Sequence, residues 1–274
     1  MTCIDVGCQF MQISGSTILL TGATGGLGQA IARALHARGG ELVLTGRRTD
    51  VLEPLAAELS GSRMLPVDLS RPDEIDRLLA EAGEVDILVA NAALPAAGTL
   101  DSFTMDEIDR ALNVNLRAPI ALAHALVPAM TKRGQGHLLF MSSLAGKSAT
   151  PGTGIYNATK FGLRGFASAL RADLHDSGVG VSAVFPGFIR DAGMFAEAEV
   201  KLPIGVGTSS PEDVARAVLS AIERNRAEVD VAPLTMRAGA TFAGIAPELA
   251  SRFARRLGSE GIAKDMETGQ RGKR

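Results

Sequence analysis

Tyr156-Asn157-Ala158-Thr159-Lys160 is the stretch of this 274-residue chain with the clearest chemical content. On a helix, residues four apart share a face, so Tyr156 and Lys160 would point the same way. A free phenol titrates near 10 and carries protons poorly at neutral pH. An ammonium about 4 Å from the phenol oxygen, at an effective dielectric of about 20, favours phenolate by roughly 4 kcal/mol. That is roughly three pKa units, enough to bring Tyr156 into range as a general acid and base. Tyr156 is the only tyrosine of the chain. A lone Y-x-x-x-K is otherwise an ordinary amphipathic turn, so its company must decide.

A second stretch, Thr21-Gly22-Ala23-Thr24-Gly25-Gly26-Leu27-Gly28, interrupts the apolar run Thr17 to Leu20. A helical pattern follows through Ala30, Ile31, Ala34 and Leu35, and Glu41 to Thr45 reads as a strand. Strand, glycine turn, helix and strand make a βαβ unit. Glycines there let the backbone approach a pyrophosphate, and the helix N-terminus offers N–H groups and a positive dipole end. In dinucleotide sites an acid about 20 residues past the glycines takes the ribose hydroxyls. That place holds Gly46, followed by Arg47 and Arg48. A guanidinium grips a 2′-phosphate, whereas a carboxylate repels it, so NADP(H) is expected over NAD(H), which stays possible.

Strand and helix alternate along the rest of the chain. Strands are expected at 64–67, 85–90, 137–141, 179–185 and 228–232. Helices are expected at 50–60, 72–82, 105–132, 156–176, 211–224 and 247–257. The strands are apolar on both faces, which predicts an α/β fold: one doubly wound parallel sheet covered by helices on both sides. A single domain over 15–257 is expected, with a loose leader 1–14 and a mobile tail 258–274. The polar residues Thr21, Arg47, Asp68, Asn91, Ser143 and Pro186-Gly187 all fall at carboxyl ends of strands, where such sheets bind ligands.

Composition narrows the classes. Hydrophobic residues make up 46% and charged residues 21%, so a sizeable core is expected and disorder is not. The net charge of -2 gives no general attraction to nucleic acid or an acidic membrane. No apolar run is long enough to span a bilayer, and the first 14 residues lack the pattern of a secretion signal. Cys3 and Cys8 both lie in the leader, so no disulfide framework is expected and a reducing cytoplasm fits. His36, His124, His137 and His175 show no metal-ligand spacing, and no metal site is expected.

With these motifs placed, the chain resembles the short-chain dehydrogenase/reductase family over about residues 15–235. The resemblance rests on Thr21-Gly22-x-x-x-Gly26-x-Gly28, Asp68, Asn91-Ala92, Asn115, Ser143 thirteen residues before Tyr156, Tyr156-x-x-x-Lys160 and Pro186-Gly187. It implies a Rossmann-like fold and an oxidoreductase that interconverts a carbonyl and an alcohol by hydride transfer. Tyr156 would exchange the hydroxyl proton, and Ser143 would bond the substrate oxygen. Lys160 would lower the tyrosine pKa and bind the nicotinamide ribose, and Asn115 would hold a water of a proton relay. Thr21, Gly22, Thr24, Gly25, Gly26, Leu27 and Gly28 would shape the phosphate site, and Arg47 and Arg48 would meet the 2′-phosphate. Asp68 and Leu69 would contact adenine, Asn91 and Ala92 the ribose side, and Pro186, Gly187 and Ile189 the nicotinamide. A homodimer or homotetramer acting on a small molecule is also implied.

Three positions depart from the family pattern. The usual Asn-Asn-Ala-Gly is Ala90-Asn91-Ala92-Ala93, a common threonine is Asp191, and the C-terminus from Pro233 to Leu257 is rich in small apolar residues. The substrate lid is expected at about 191–210, and Met194, Phe195, Leu202, Pro203, Ile204 and Val206 make it apolar, which suits a lipophilic substrate. Two other readings use the same fold: a non-catalytic dinucleotide sensor, and a peripheral membrane enzyme presenting Leu249, Phe253 and Leu257 beside Arg252, Arg255 and Arg256. Packing or dimer contact of that last helix is the expectation, ahead of membrane association.

Overall fold

The structure, a computed structural model, describes residues 11–196, 207–256, 259–270 and 272. Cys3, Cys8, Leu202, Pro203, Ile204, Val206 and Leu257 therefore lie outside the described residues. The first half runs β1 (Thr17–Thr21), α1 (Gly26–His36), β2 (Glu41–Gly46), α2 (Thr49–Glu58), β3 (Arg63–Pro66), α3 (Pro72–Ala82) and β4 (Ile87–Ala90). It continues with α4 (Met105–Leu112), α5 (Ala118–Arg133), β5 (Gly136–Met141), α6 (Gly154–Asp173) and β6 (Val179–Pro186). The remainder is α7 (Gly193–Ala196), α8 (Pro211–Glu223), β7 (Glu228–Val231), α9 (Leu234–Ile245), α10 (Pro247–Arg256) and α11 (Ser259–Gln270).

The strands form one parallel sheet in the order β3-β2-β1-β4-β5-β6-β7. Side chains alternate across it, as the two-residue period of a strand requires. Ile18, Leu20, Leu42, Leu44, Val89 and Met141 face α1, α2 and α8. Leu19, Val43, Leu88, Leu138, Phe140 and Phe185 face α3, α5 and α6. Both faces are buried, which is why the strands read as continuous apolar runs. The strand order reverses at β1, so loops from β1 and β4 part there and leave a crevice at the carboxyl ends.

The expected long helix over 105–132 is not continuous. α4 and α5 are separated by a π-helical segment, Asn113–Arg117, in which the Ala118 N–H bonds the Asn113 carbonyl five residues back. Helix α9 was not expected; its small apolar residues carry no periodic polar face. The stretch read as a tail is helical over Ser259–Gln270.

Among the histidines, His137 is fully enclosed in β5. Ser182 Oγ donates to the Ala221 carbonyl at 3.2 Å, so His137 Nε2–H is the donor in its 2.9 Å contact with that hydroxyl. Burial, with the nearby Arg171 charge, pulls the imidazole down to about 3. Its folded pKa lies below the unfolded value of about 6.5, so below that pH unfolding takes up a proton and stability falls. The expected slope is about 1.4 kcal/mol per pH unit between about 6 and 4. His137→Gln should flatten the fall in urea midpoint over that range; an unchanged slope would assign the acid sensitivity to other groups.

Candidate active site

Thr21, Arg47, Asp68, Asn91, Ser143 and Pro186-Gly187 follow or end six different strands at the same edge of the sheet. Ser142 and Ser143 follow β5 and separate their tasks. Ser142 is buried, and its hydroxyl donates to the Lys160 carbonyl at 3.1 Å. Ser143 is only partly buried; its hydroxyl accepts from Ala145 N–H at 3.2 Å, and its one proton can go either to the Pro186 carbonyl at 3.3 Å or to the Tyr156 phenol oxygen. Thus Ser143, not Ser142, belongs with the tyrosine.

Lys160 lies one turn along α6, with 1% of its surface exposed. Its Nζ donates to the Met141 carbonyl at 2.9 Å and lies 5.6 Å from the Tyr156 ring centroid. The expected depression of the phenol does not arise within the polypeptide. Burial pushes Tyr156 up to about 12, the Ser143 hydrogen bond working in the opposite direction. Burial also pulls Lys160 down to about 8. Desolvation is the leading cause for both groups, and the charge pairing anticipated from sequence is not among the causes of either shift.

Asn115 is fully buried in the π segment. Its Oδ1 accepts from Leu94 N–H at 2.6 Å and its Nδ2 donates to the Leu94 carbonyl at 2.9 Å. This pair ties the helix to the loop after β4. Asn113 stands at the start of the same segment without that bond.

The glycine turn is built on Thr21, whose hydroxyl accepts from the N–H groups of Asn91 and Ala92, each at 3.0 Å. Asn91 Nδ2 donates back to the carbonyls of Thr21 and Gly22 at 3.1 and 3.2 Å. Gly22 has φ 70°, and a Cβ there would stand 2.7 Å from Ala92 Cα. A Cβ on Gly28 would meet the Gly22 carbonyl oxygen at 2.1 Å, so only glycine lets α1 start this close to the turn. Helix α1 has no side-chain cap and no acid in its first turn. By contrast α4 and α8 both carry capping boxes. An uncapped, acid-free N-terminus at the crevice fits a pyrophosphate.

At the other end of this site, a Cβ on Gly46 would stand 2.7 Å from Thr24 Cγ2. Arg48 donates to the Thr24 carbonyl at 2.6 Å. Asp68 turns inward on its own loop, accepting from Ser70 N–H at 3.0 Å and Ser70 Oγ at 2.8 Å. Burial works to raise its carboxyl, but the Ser70 bonds and the charges of Arg47 and Arg110 outweigh it and hold it below the usual carboxylate range. Leu69 is buried in the core beside it.

Beyond Pro186-Gly187, Ile189 is buried and bridges to Ser209. Asp191 takes φ 65° with its carboxylate 73% exposed beside Arg190, turned to solvent. The next residue closes over the glycine turn: a Cβ on Gly26 would lie 2.6 Å from Ala192 Cβ. Phe188 and Phe195 pack at 4.8 Å between ring centroids. Gln270 of α11 donates to the Met194 carbonyl at 3.2 Å, so the last helix touches the expected lid.

The short chain dehydrogenase family model matches residues 16–202. The chain belongs to that family. A ketoacyl reductase, HetN, from Nostoc sp. is 35% identical over 227 residues, covering 80% of this chain and 79% of that protein. A dehydrogenase/reductase SDR family protein 7-like from Drosophila melanogaster is 30% identical over 262 residues, covering 87% of this chain and 79% of that one. Among solved structures, a short-chain dehydrogenase from Sphingobium yanoikuyae in complex with NADPH superposes with a TM-score of 0.74 at 29% identity, covering 86% of this chain and 95% of that chain. A serine dehydrogenase complexed with NADP+ gives a TM-score of 0.70 at 28% identity, covering 80% and 95% of the two chains. This short chain dehydrogenase is an NAD(P)-dependent oxidoreductase on a single Rossmann-like domain.

Two features of this dehydrogenase escaped the sequence reading. Asn157, inside the Tyr156–Lys160 motif, donates to the carbonyls of Ala145 at 2.6 Å and Ser148 at 3.1 Å, locking the loop after Ser143 to α6. Lys147, on that loop, bonds Asp230 at 2.5 Å and Glu228 at 2.9 Å, while Arg164 of α6 bonds Glu228 at 2.7 Å. Their Nζ and guanidinium groups lie 4.0 and 5.7 Å from the Phe185 ring centroid. A period of four from Tyr156 through Lys160 to Arg164 was the available signal.

Because Tyr156 is the sole tyrosine, its titration can be followed without background. The dinucleotide-free protein should show no phenolate absorbance below about pH 10. Added NADP+ should bring the titration down, since a cation beside a phenol favours its charged form. A phenolate appearing near pH 7 in the protein alone would show that Lys160 overcomes desolvation by itself.

Proposed function

We propose that this enzyme is an NADP(H)-dependent dehydrogenase/reductase that interconverts a lipophilic carbonyl and its alcohol, with Tyr156 as the acid and base. The preference for NADP(H) is carried by Gly46. Thr24 Cγ2 stands 2.7 Å from where a Cβ would be, so a side chain there would have to displace that of Thr24. Glycine offers no carboxylate to the ribose hydroxyls from that place. Arg48 is tied to the Thr24 carbonyl. Arg47, whose charge already acts on Asp68, is the fork for a 2′-phosphate.

The dinucleotide, held along the uncapped N-terminus of α1, supplies the hydride chemistry when bound. The chain supplies the rest. Ser143 donates its hydroxyl to the substrate oxygen, giving up its bond to the Pro186 carbonyl. Tyr156 gives that oxygen a proton in reduction and takes it in oxidation. Lys160, buried and held near 8, is the cation that favours the phenolate once the proton has left. Both polar ends of the Asn115 side chain are committed to Leu94, so its main-chain carbonyl is the group left for a proton relay. The lipophilic substrate is supported by Leu144 and Met236, which come within 3.3 Å of a Cβ placed on Gly187, and by the Phe188–Phe195 pair.

A charge-assisted hydrogen bond contributes roughly 1.5–3 kcal/mol, so Arg47→Ala should weaken NADP(H) binding by about 10- to 100-fold and NAD(H) binding little. Equal losses for both would remove the assignment. Ser143→Ala should retain NADPH binding and lose about 10²–10³ in turnover over a panel of carbonyls read by NADPH absorbance. Full activity in Ser143→Ala would place substrate polarisation elsewhere.

A further inference from the structure

Helix α9 is apolar on two opposite sides. Its sequence, LTMRAGATFAGI, has a single charged residue, Arg237. One side packs inward: Ala240 is buried in the core, and Met236 reaches the Pro186-Gly187 turn of the active site. Each apolar side of a helix calls for cover. The outward side has none within the described residues. Leu234 is 75% exposed, Phe242 43% and Ile245 78%, and their spacing places them in one stripe with Ala238. α10 follows directly and adds Leu249 at 50%. Seven large apolar side chains are exposed among the described residues, and four of them fall between 234 and 249, so this is a patch and not scatter.

The charge of the chain is divided at the same place. Residues 234–274 hold eight basic against four acidic residues, whereas residues 1–233 hold twenty against twenty-six. The basic excess is thus confined to the segment that carries the apolar stripe. A second copy docked on the stripe about a two-fold axis would bring this positive segment against itself. A phospholipid surface with acidic headgroups matches both the apolar stripe and the sign of the charge.

We propose that α9 and α10 seat this enzyme on an anionic phospholipid surface, lying in the plane of the interface with Leu234, Phe242, Ile245 and Leu249 among the headgroups. For the helix over 247–257 the sequence favoured packing or dimer contact; the stripe favours the other reading, an interfacial helix. α9 then has two roles at once: its outer side meets the bilayer while Met236 on its inner side borders the catalytic cleft. A lipophilic carbonyl dissolved in the bilayer would reach the cleft along this wall. The docking itself does not rest on the proposed reaction.

The test is co-sedimentation of the full chain with phosphatidylcholine vesicles, with and without phosphatidylglycerol. The protein should pellet with the anionic vesicles, at least about tenfold more weakly with the neutral ones, and should be released by salt. Ile245→Glu with Leu249→Glu, both at exposed positions, should lower pelleting about tenfold or more. NADPH binding and the melting temperature of that variant should stay as in the parent, which separates lost docking from lost folding or lost catalysis. Absence of pelleting with phosphatidylglycerol vesicles, or equal pelleting of the variant, would overturn the proposal. So would light scattering that shows the parent as a dimer and the variant as a monomer, since the stripe would then be a contact between copies.

Discussion

The fastening of α6 to the end of β5 is the interaction on which the catalytic arrangement depends. Lys160 reaches back to the Met141 carbonyl, and Ser142 reaches forward to the Lys160 carbonyl. Gly146 completes the fit: a Cβ there would meet Ser142 Oγ at 2.6 Å and the Lys160 carbonyl oxygen at 2.7 Å. Together with Asn157, these bonds fix the strand end that bears Ser143 against the helix face that bears Tyr156. Burying an amine costs free energy unless it is hydrogen-bonded, and the Met141 carbonyl partly offsets that cost. The depressed pKa of Lys160 records what is left over.

The same economy of position operates at the dinucleotide end. Thr21 receives two N–H groups from the β4 loop, so the two strands that part at the switch point are rejoined by one hydroxyl. Asn91 fills the gap with its amide, a job it does here with Ala92 and Ala93 after it instead of the family's usual Ala-Gly. Glycine is needed where backbone meets backbone, at Gly22 and Gly28, while at Gly26 and Gly46 it makes room for the side chains of Ala192 and Thr24.

Much of this was legible in the sequence. Strand positions, the parallel sheet and the gathering of Thr21, Asn91, Ser143, Tyr156, Lys160 and Pro186-Gly187 follow from apolar periodicity and motif order, because each is a local property. The π segment was not legible, since 105–133 keeps helical composition throughout and the extra residue is held by a pairing with Leu94 distant in sequence. The direction of the Tyr156 shift was misread for a related reason. Spacing on a helix gives the neighbour, whereas desolvation depends on everything packed around the pair. α9 was missed because a helix without a polar face shows no period to read.

The π segment has a further meaning in terms of chain length. A π turn holds one residue more than an α turn, so Asn113–Arg117 is equivalent to a single-residue insertion within an otherwise continuous helix. Beyond it, every side chain of α5 is rotated by about 100° relative to the phase set by α4, the angular step of one helical residue. The apolar residues Leu122, Leu126 and Met130 meet the sheet only with that rotation in place. The polar pocket of Asn115 and the hydrophobic seating of α5 are therefore two readings of one dislocation, and removing it to straighten the helix would turn the core side of α5 away from the sheet.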